Sequence, residues 1–327
     1  MGETKQKTRV IGIDVRVDTT DFAIVDISGR VLAKNSVNND DYDNINSYIQ
    51  ALSNAIVETS EKCVGFENIR SVGISCPSGN RMTGSIHNSP VLRWKGVVPF
   101  ATMLRDQLGI AVALSNDVEA TALGEMAFGS AHEFRTFLTI NVGNGLGGCF
   151  TYNGKIISGA TGFAGEIGHI CLIPNGRKCG CGLQGCAEIY TASPGIILTA
   201  KELMTRDSRP SLMREYGDKL TPKDIFDCCE KGDQMAIEVF KITGEYLGIA
   251  LATYASVTDP EAIILTGGVM GAGKWILEPT EDSFNRHVFG NIKDKVKLIK
   301  STLNNSERNI LGASALAWTV KEYSLFK

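Results

Sequence analysis

His169 and three cysteines, Cys179, Cys181 and Cys186, fall within eighteen residues of one another. One imidazole and three thiols are the four-donor set that a closed, tetrahedral structural zinc site uses. Glycines at 180, 182 and 185 let the backbone turn tightly around a small ion. A simple group of buried thiols is the other reading, but it does not account for three cysteines interleaved with glycine over eight positions. The remaining cysteines, Cys63, Cys76, Cys149, Cys171, Cys228 and Cys229, lack such spacing and read as core residues. Glu166 and Glu188 sit on either side of the cluster. If the turn after Glu166 is helical, Glu166 and His169 share a face, and an ion that pins His169 pins the carboxylates too. Acceptors held together in this way suit a polyhydroxylated ligand such as a sugar; plain surface solvation suits them equally.

These groups need elements to position them. Residues 8–14 read as a buried strand, and 21–26 and 31–37 as two more around a turn at 27–30, which makes an antiparallel meander. Apolar residues at Ile45, Tyr48, Ile49, Leu52 and Ile56 predict a helix within 42–64. A strand at 69–75, a helix at 100–108, a strand at 110–114 and a helix at 117–128 follow, the last capped by Asn116 or Asp117. The pattern then restarts, with strands at 137–142, at 145–152 and from 155. After the cysteine loop come helices at 196–205 and 234–257, strands at 262–265 and 296–299, and a closing helix at 311–323. Strand-rich openings leading into helices specify mixed sheets with helices on their faces. The expected organisation is two α/β lobes, 8–129 and 130–327. The loop 165–188 lies in the second, and the closing helix is able to return and pack on the first.

Composition narrows the function classes. At 327 residues the chain is long for one average domain and suited to two. With 43% hydrophobic and 21% charged residues it is neither disordered, collagenous nor a coiled coil. Lys and Arg number 33 against 36 Asp and Glu, so no basic field is present to hold a nucleic-acid backbone, and no nucleic-acid partner is expected. Residues 1–8 are polar and lack a signal-peptide core. The uncharged stretch 136–154 is broken by glycines and asparagines, which suits a turn better than a membrane helix. A cytoplasmic protein without a disulfide scaffold or membrane partner is expected. His87, His132 and His287 have no partners at recognisable spacing and read as structural.

Glu-x-x-His followed by Cys-x-Cys-Gly-x-x-Gly-Cys-x-Glu, over 166–188, resembles the signature of the ROK family (repressor, open reading frame, kinase) of bacterial sugar kinases and sugar-responsive proteins. The resemblance, to glucokinase-like members, runs from about residue 10 to 318. It implies an α/β fold of the actin-like ATPase, ribonuclease H-like type, two lobes with a central cleft. It implies a structural Zn2+ on His169, Cys179, Cys181 and Cys186, and sugar hydroxyls held by Asn88, Asn116, Asp117, Glu166, His169 and Glu188. By the same resemblance ATP is used with Mg2+, and the protein is a homodimer or homotetramer. Asp117 would be the general base. A positioned carboxylate that takes the sugar hydroxyl's proton contributes on the order of 10²–10⁴-fold, the rest being positioning and charge stabilisation of the phosphoryl group. An aspartate at this point is also a good helix cap.

Nucleotide contacts implied by the resemblance are Asp14, Gly143, Asn144, Gly145, Gly267 and Gly268. In Asn141-Val-Gly143-Asn144-Gly145-Leu-Gly147-Gly148 glycines allow backbone N–H groups close to phosphate, with Asn144 where the family has threonine; an unliganded hairpin also accounts for them. Leu265-Thr-Gly267-Gly268-Val-Met-Gly-Ala-Gly273 resembles the adenosine motif, and a plain strand-to-helix turn accounts for it too. Two departures stand out. The family's Asp-x-Gly-Gly-Thr is here Asp14-Val15-Arg16-Val17-Asp18-Thr19, and Arg16 could pair with phosphate or with Asp18. The family's Pro-Gly is Pro77-Ser78. Two functions follow: an ATP-dependent kinase of a hexose or N-acetylhexosamine, or a non-catalytic sugar sensor with a degenerate first phosphate motif. A DNA-binding repressor of this family would carry a helix-turn-helix ahead of the first strand, where only a short polar tail is read.

Overall fold

The computed structural model describes residues 7–304 and 307–321. Of these, 7–133, 158–164 and the segment from 302 onward form one compact unit, and 134–157 with 165–301 a second. In the first unit, strands β1 (Arg9–Val15), β2 (Thr19–Asp26) and β3 (Val31–Asn38) form the antiparallel meander, followed by helix α1 (Ile45–Cys63). Strand β4 (Ile69–Ser75) leads into three short strands, β5 (Gly79–Asn80), β6 (Ser85–His87) and β7 (Val97–Val98), then helix α2 (Phe100–Leu108), strand β8 (Ala111–Ser115) and helix α3 (Asp117–Phe128). The sheet order is β3-β2-β1-β4-β8, and β5 to β7 form a separate small sheet.

Alternation along β1 sorts its side chains onto two faces. Ile11, Ile13 and Val15 enter the core with Tyr48, Leu52 and Ile56 of α1. Val10, Gly12 and Asp14 point the other way, toward the closing helix, Arg308–Thr319. That helix lies almost on the sheet: a Cβ at Gly12 would meet the Ile310 carbonyl at 2.2 Å, and one at Gly73 the Ala313 carbonyl at 1.9 Å. The helix begins three residues earlier than its apolar pattern suggests, and positions 322–323 of the expected span lie outside the described residues. The segment Ser158–Ala164 joins this unit through Ser158 Oγ, which donates to Glu119 Oε1 at 2.9 Å, and Asn80 Nδ2, which donates to the Thr161 carbonyl at 2.8 Å.

The second unit repeats the sheet. Strands β9 (Phe137–Val142), β10 (Leu146–Tyr152) and β11 (Lys155–Ile156) are antiparallel. After the cysteine loop come helices α4 (Glu188–Thr191), α5 (Ser193–Arg206), α6 (Pro222–Glu230) and α7 (Gln234–Thr258). Strand β12 (Ala262–Thr266), helix α8 (Lys274–His287) and strand β13 (Lys297–Lys300) complete it. The order β11-β10-β9-β12-β13 matches that of the first sheet, and β12 and β13 are parallel to β9. Leu138, Ile140 and Val142 pack into a core with Phe240, Leu251 and Ile276 from α7 and α8. No helix among the described residues is long and apolar enough to cross a membrane.

Candidate active site

In a parallel sheet the strands' carboxyl ends gather on one edge, where ligands bind. Register places Asp14 of β1 opposite Ser75 of β4, and Ser75 opposite Ser115 of β8. Asn116 and Asp117 follow at once. Asn116 is the N-cap of α3, its Oδ1 accepting from Glu119 N at 2.7 Å, so its amide Nδ2 is left to donate elsewhere. Asp117 is the first helical residue; its Oδ1 accepts from Val118 N at 3.0 Å. Burial raises its pKa above the usual carboxylate range. Burial likewise pushes Asp14 up to about 6, opposed by a hydrogen bond from Asn309 and by the charge of Arg16. Two carboxyl groups whose ionisation burial disfavours therefore occupy one sheet edge.

Arg16 does not pair with Asp18. It forms an ion pair with Asp21, and its Nε lies 3.7 Å from Asp14 Oδ2. The cause is the β1–β2 register, which sets Asp21 directly opposite Asp14. Ser78 adopts φ 58°, the left-handed region where glycine is at ease and serine is strained. Asn88 also has a left-handed φ of 46°, a conformation asparagine tolerates, and is exposed.

The second unit carries the cysteine cluster. A short 3₁₀ turn, Ile167–His169, opens after Glu166 and sets Glu166 Oε2 4.0 Å from His169 Nε2. The ring's other nitrogen, Nδ1, lies 3.8 Å from Cys179 Sγ, and Cys181 Sγ lies 3.7 Å from Cys186 Sγ. The four ligand atoms are all within 4.8 Å of one another. A tetrahedral zinc with thiolates at about 2.3 Å separates its sulfurs by about 3.8 Å, so the donors already stand at ligand spacing. Burial, with the neighbouring thiols, pushes the Cys186 thiol up to about 12, so three thiolates here call for a cation among them. Glu188 opens α4 and bridges to the glycine hairpin: its Oε2 accepts from Leu146 N at 3.0 Å and its Oε1 lies 3.9 Å from Cys179 Sγ.

At the carboxyl ends of β9 and β12, Asn141 is paired with Thr266. Gly143, Asn144 and Gly268 line a cavity of about 600 Å³ together with Ser193, Thr221, Lys223 and Phe226. Gly145 and Gly267 are not among its lining residues. A Cβ at Gly145 would press on Glu188 Oε2, and Gly267 has φ 100° with the Val142 carbonyl 2.2 Å from its Cβ position, so it serves the turn. Sequence reasoning missed the α6 contribution, although Thr221-Pro222-Lys223-Asp224 is a capping box with proline in the first turn, a legible helix start. It also missed Arg308 and Asn309 beside Asp14, which no local pattern reveals.

The model of the ROK family matches residues 10–320. A glucokinase of Halalkalibacterium halodurans is 30% identical over 321 residues, covering 95% of this chain and 94% of that protein. A ROK family glucokinase of Streptomyces griseus, crystallised with glucose and AMPPNP, is 28% identical with a TM-score of 0.78 over 95% of this chain and all of that one. A xylose repressor of Caldicellulosiruptor bescii is 26% identical, covering 89% of this chain and 74% of that protein. The fold is the actin-like ATPase, ribonuclease H-like fold with two lobes.

Proposed function

Because the chain belongs to the ROK family, we propose that it is an ATP-dependent sugar kinase acting on a hydroxyl of a hexose or N-acetylhexosamine. The observation that carries this reading is Asp117, a carboxyl group set by α3 at the carboxyl ends of the parallel strands β1, β4 and β8, with its pKa raised by burial. Raising a carboxylate's pKa makes it a stronger acceptor for a hydroxyl proton. Asp117 takes that proton as the hydroxyl oxygen bonds to the γ-phosphorus and the bond to the β,γ-bridging oxygen breaks, releasing ADP. Asn88, Asn116, Glu166, His169 and Glu188 would hold the other hydroxyls.

Zn2+ would be held by His169 Nδ1 and the thiolates of Cys179, Cys181 and Cys186, leaving the Nε2 proton to face Glu166 and the sugar. With four protein ligands it is a structural ion that fixes the loop. Gly143, Asn144 and Gly268 would line the nucleotide's place, since a cavity of about 600 Å³ is of a size to take a nucleotide. Mg2+ bound with ATP neutralises phosphate charge, and Asp14 is the carboxylate nearest that task on the first hairpin. Self-association as a homodimer or homotetramer belongs to the same reading, as does a cytoplasmic location.

The Arg16–Asp21 pair favours a second reading, a sugar sensor whose first hairpin has given up phosphate. Purified protein with MgATP and a panel of hexoses and N-acetylhexosamines separates the two. Sugar-dependent ADP formation that disappears in Asp117→Ala is the expected result. Thermal stabilisation by a sugar with no effect of ATP and no turnover would replace the kinase with the sensor.

A further inference from the structure

The first turn of the closing helix has no part in the chemistry above, yet it places a buried arginine and an asparagine among the carboxylates. Arg308 is 7% exposed and within electrostatic reach of Asp14, Asp117 and Glu125. Asn309 Nδ2 donates to Asp14 Oδ1 at 3.1 Å. Asn309 Oδ1 lies 3.5 Å from Thr121 Oγ1, which donates to the Asp117 carbonyl at 2.8 Å. One amide thus reaches the strand that bears Asp14 with its donor end and the helix that bears Asp117 with its acceptor end.

Packing fixes this register. Gly12, two residues before Asp14 and on the same face, admits the Ile310 carbonyl, and a Cβ at Gly312 would meet the Ala120 carbonyl at 2.2 Å. The closing helix is therefore seated against both β1 and α3, and residue 309 has to face Asp14.

We infer that Asn309 is a positioning residue for the proposed phosphoryl transfer, orienting the Asp14 carboxyl group through its hydrogen bond and tying it to the helical turn that presents Asp117, with Arg308 supplying neutralising charge. The inference rests on the kinase reading for its purpose and on the Asn309–Asp14 contact for its physics. Among the influences that hold Asp14 down against burial, the hydrogen bond from Asn309 comes first, ahead of Arg16.

Two variants test it. Asn309→Ala removes both ends of the link. Asn309→Asp keeps the shape, deletes the donor and sets a second carboxylate against Asp14. Both are expected to move the acid limb of kcat/KM for MgATP upward by about one pH unit or more, each unit being tenfold in proton affinity, with Asn309→Asp the larger. The KM for sugar should stay near that of the parent, and melting curves confirm that each variant folds. Carbon-detected titration of aspartate carboxyls in the unliganded protein, with Asp14→Asn to assign the signal, reads Asp14 without turnover. An Asp14 midpoint that is the same in the parent and both variants overturns the inference. A parent that phosphorylates no sugar, with an Asp14 midpoint that still moves, sinks the kinase reading and upholds the hold of Asn309 on Asp14.

Discussion

The β1–β2 and β9–β10 hairpins hold the same place in two sheets of the same order, and they present opposite surfaces. The first closes with Arg16 N donating to the Thr19 carbonyl at 2.9 Å, with no left-handed residue in its turn. Asn39 holds it from behind, donating through Nδ2 to the Arg16 carbonyl at 2.8 Å and the Val17 carbonyl at 3.2 Å, while Thr20 Oγ1 donates to Asn39 Oδ1 at 2.9 Å. What it shows to solvent is charge, with the Arg16 side chain 53% exposed. The second hairpin carries no side chain at Gly143, whose carbonyl accepts from both N and Oγ of Ser193 at 2.9 Å, and it opens on the cavity. Glycine is thus not required by the fold at this position. The sheet tolerates either surface, a charged side chain paired with Asp21 on the first hairpin and a glycine-rich turn on the second.

The largest test of that contrast bypasses both hairpins. Asp117→Ala should lower kcat on the order of 10²–10⁴-fold with the KM for sugar little changed. Steady-state kinetics within a few-fold of the parent would remove Asp117 from the chemistry and leave the hairpins to explain catalysis alone. Metal removal comes next. Chelation or Cys186→Ser should release about one zinc per chain, lower the melting temperature and abolish sugar binding. Because Glu188 ties the cysteine loop to Leu146, amide exchange should accelerate at 143–146 and stay unchanged at 16–19; equal acceleration in both would break the comparison.

Gly268→Val puts a side chain into the cavity, and about a tenfold or greater rise in the KM for ATP is expected, a loss of roughly 1.4 kcal/mol or more, with sugar affinity kept. Arg16→Ala should raise the same KM about tenfold, as the loss of a charge-assisted contact would; a fall in KM would instead show that Arg16 obstructs nucleotide. The smallest effect is on stability. Asp14 has a folded pKa of about 6 against an ordinary 3.8, so its favourable contribution is full below pH 3.8 and is lost as pH rises through 6. Asp14→Asn should therefore raise the melting temperature by a few degrees at pH 8 and bring no gain at pH 3.5, while activity falls.

Much of the scaffold could be read locally, because its signals are local. Asn116 caps α3 as its side chain allows, and the helix runs over Asp117–Phe128 as its pattern predicts. The clustering of His169, Cys179, Cys181 and Cys186 was legible because their loop carries its own spacing. Helix α8 was missed because Pro279 interrupts it, and the interruption is absorbed at Gly244 of α7, whose Cβ position is 2.7 Å from the proline ring. Strands β5 to β7 are two or three residues long and too short for alternation to register. The partners of Arg16 depended on register across a hairpin, and those of Asn309 on a helix almost 300 residues away from Asp14. Composition and periodicity carry no trace of such pairs.

The closing helix also sets an order of events at the ribosome. Its backbone covers the Gly12 and Gly73 face of the first sheet, so a nascent chain can finish the second unit while the first still exposes Val10, Ala23 and Val25. N-terminal-first completion, the ordinary course of synthesis, is closed to this protein. A premature stop anywhere before residue 308 would leave the earliest-made strands bare and prone to stick to one another, however well everything in between had folded.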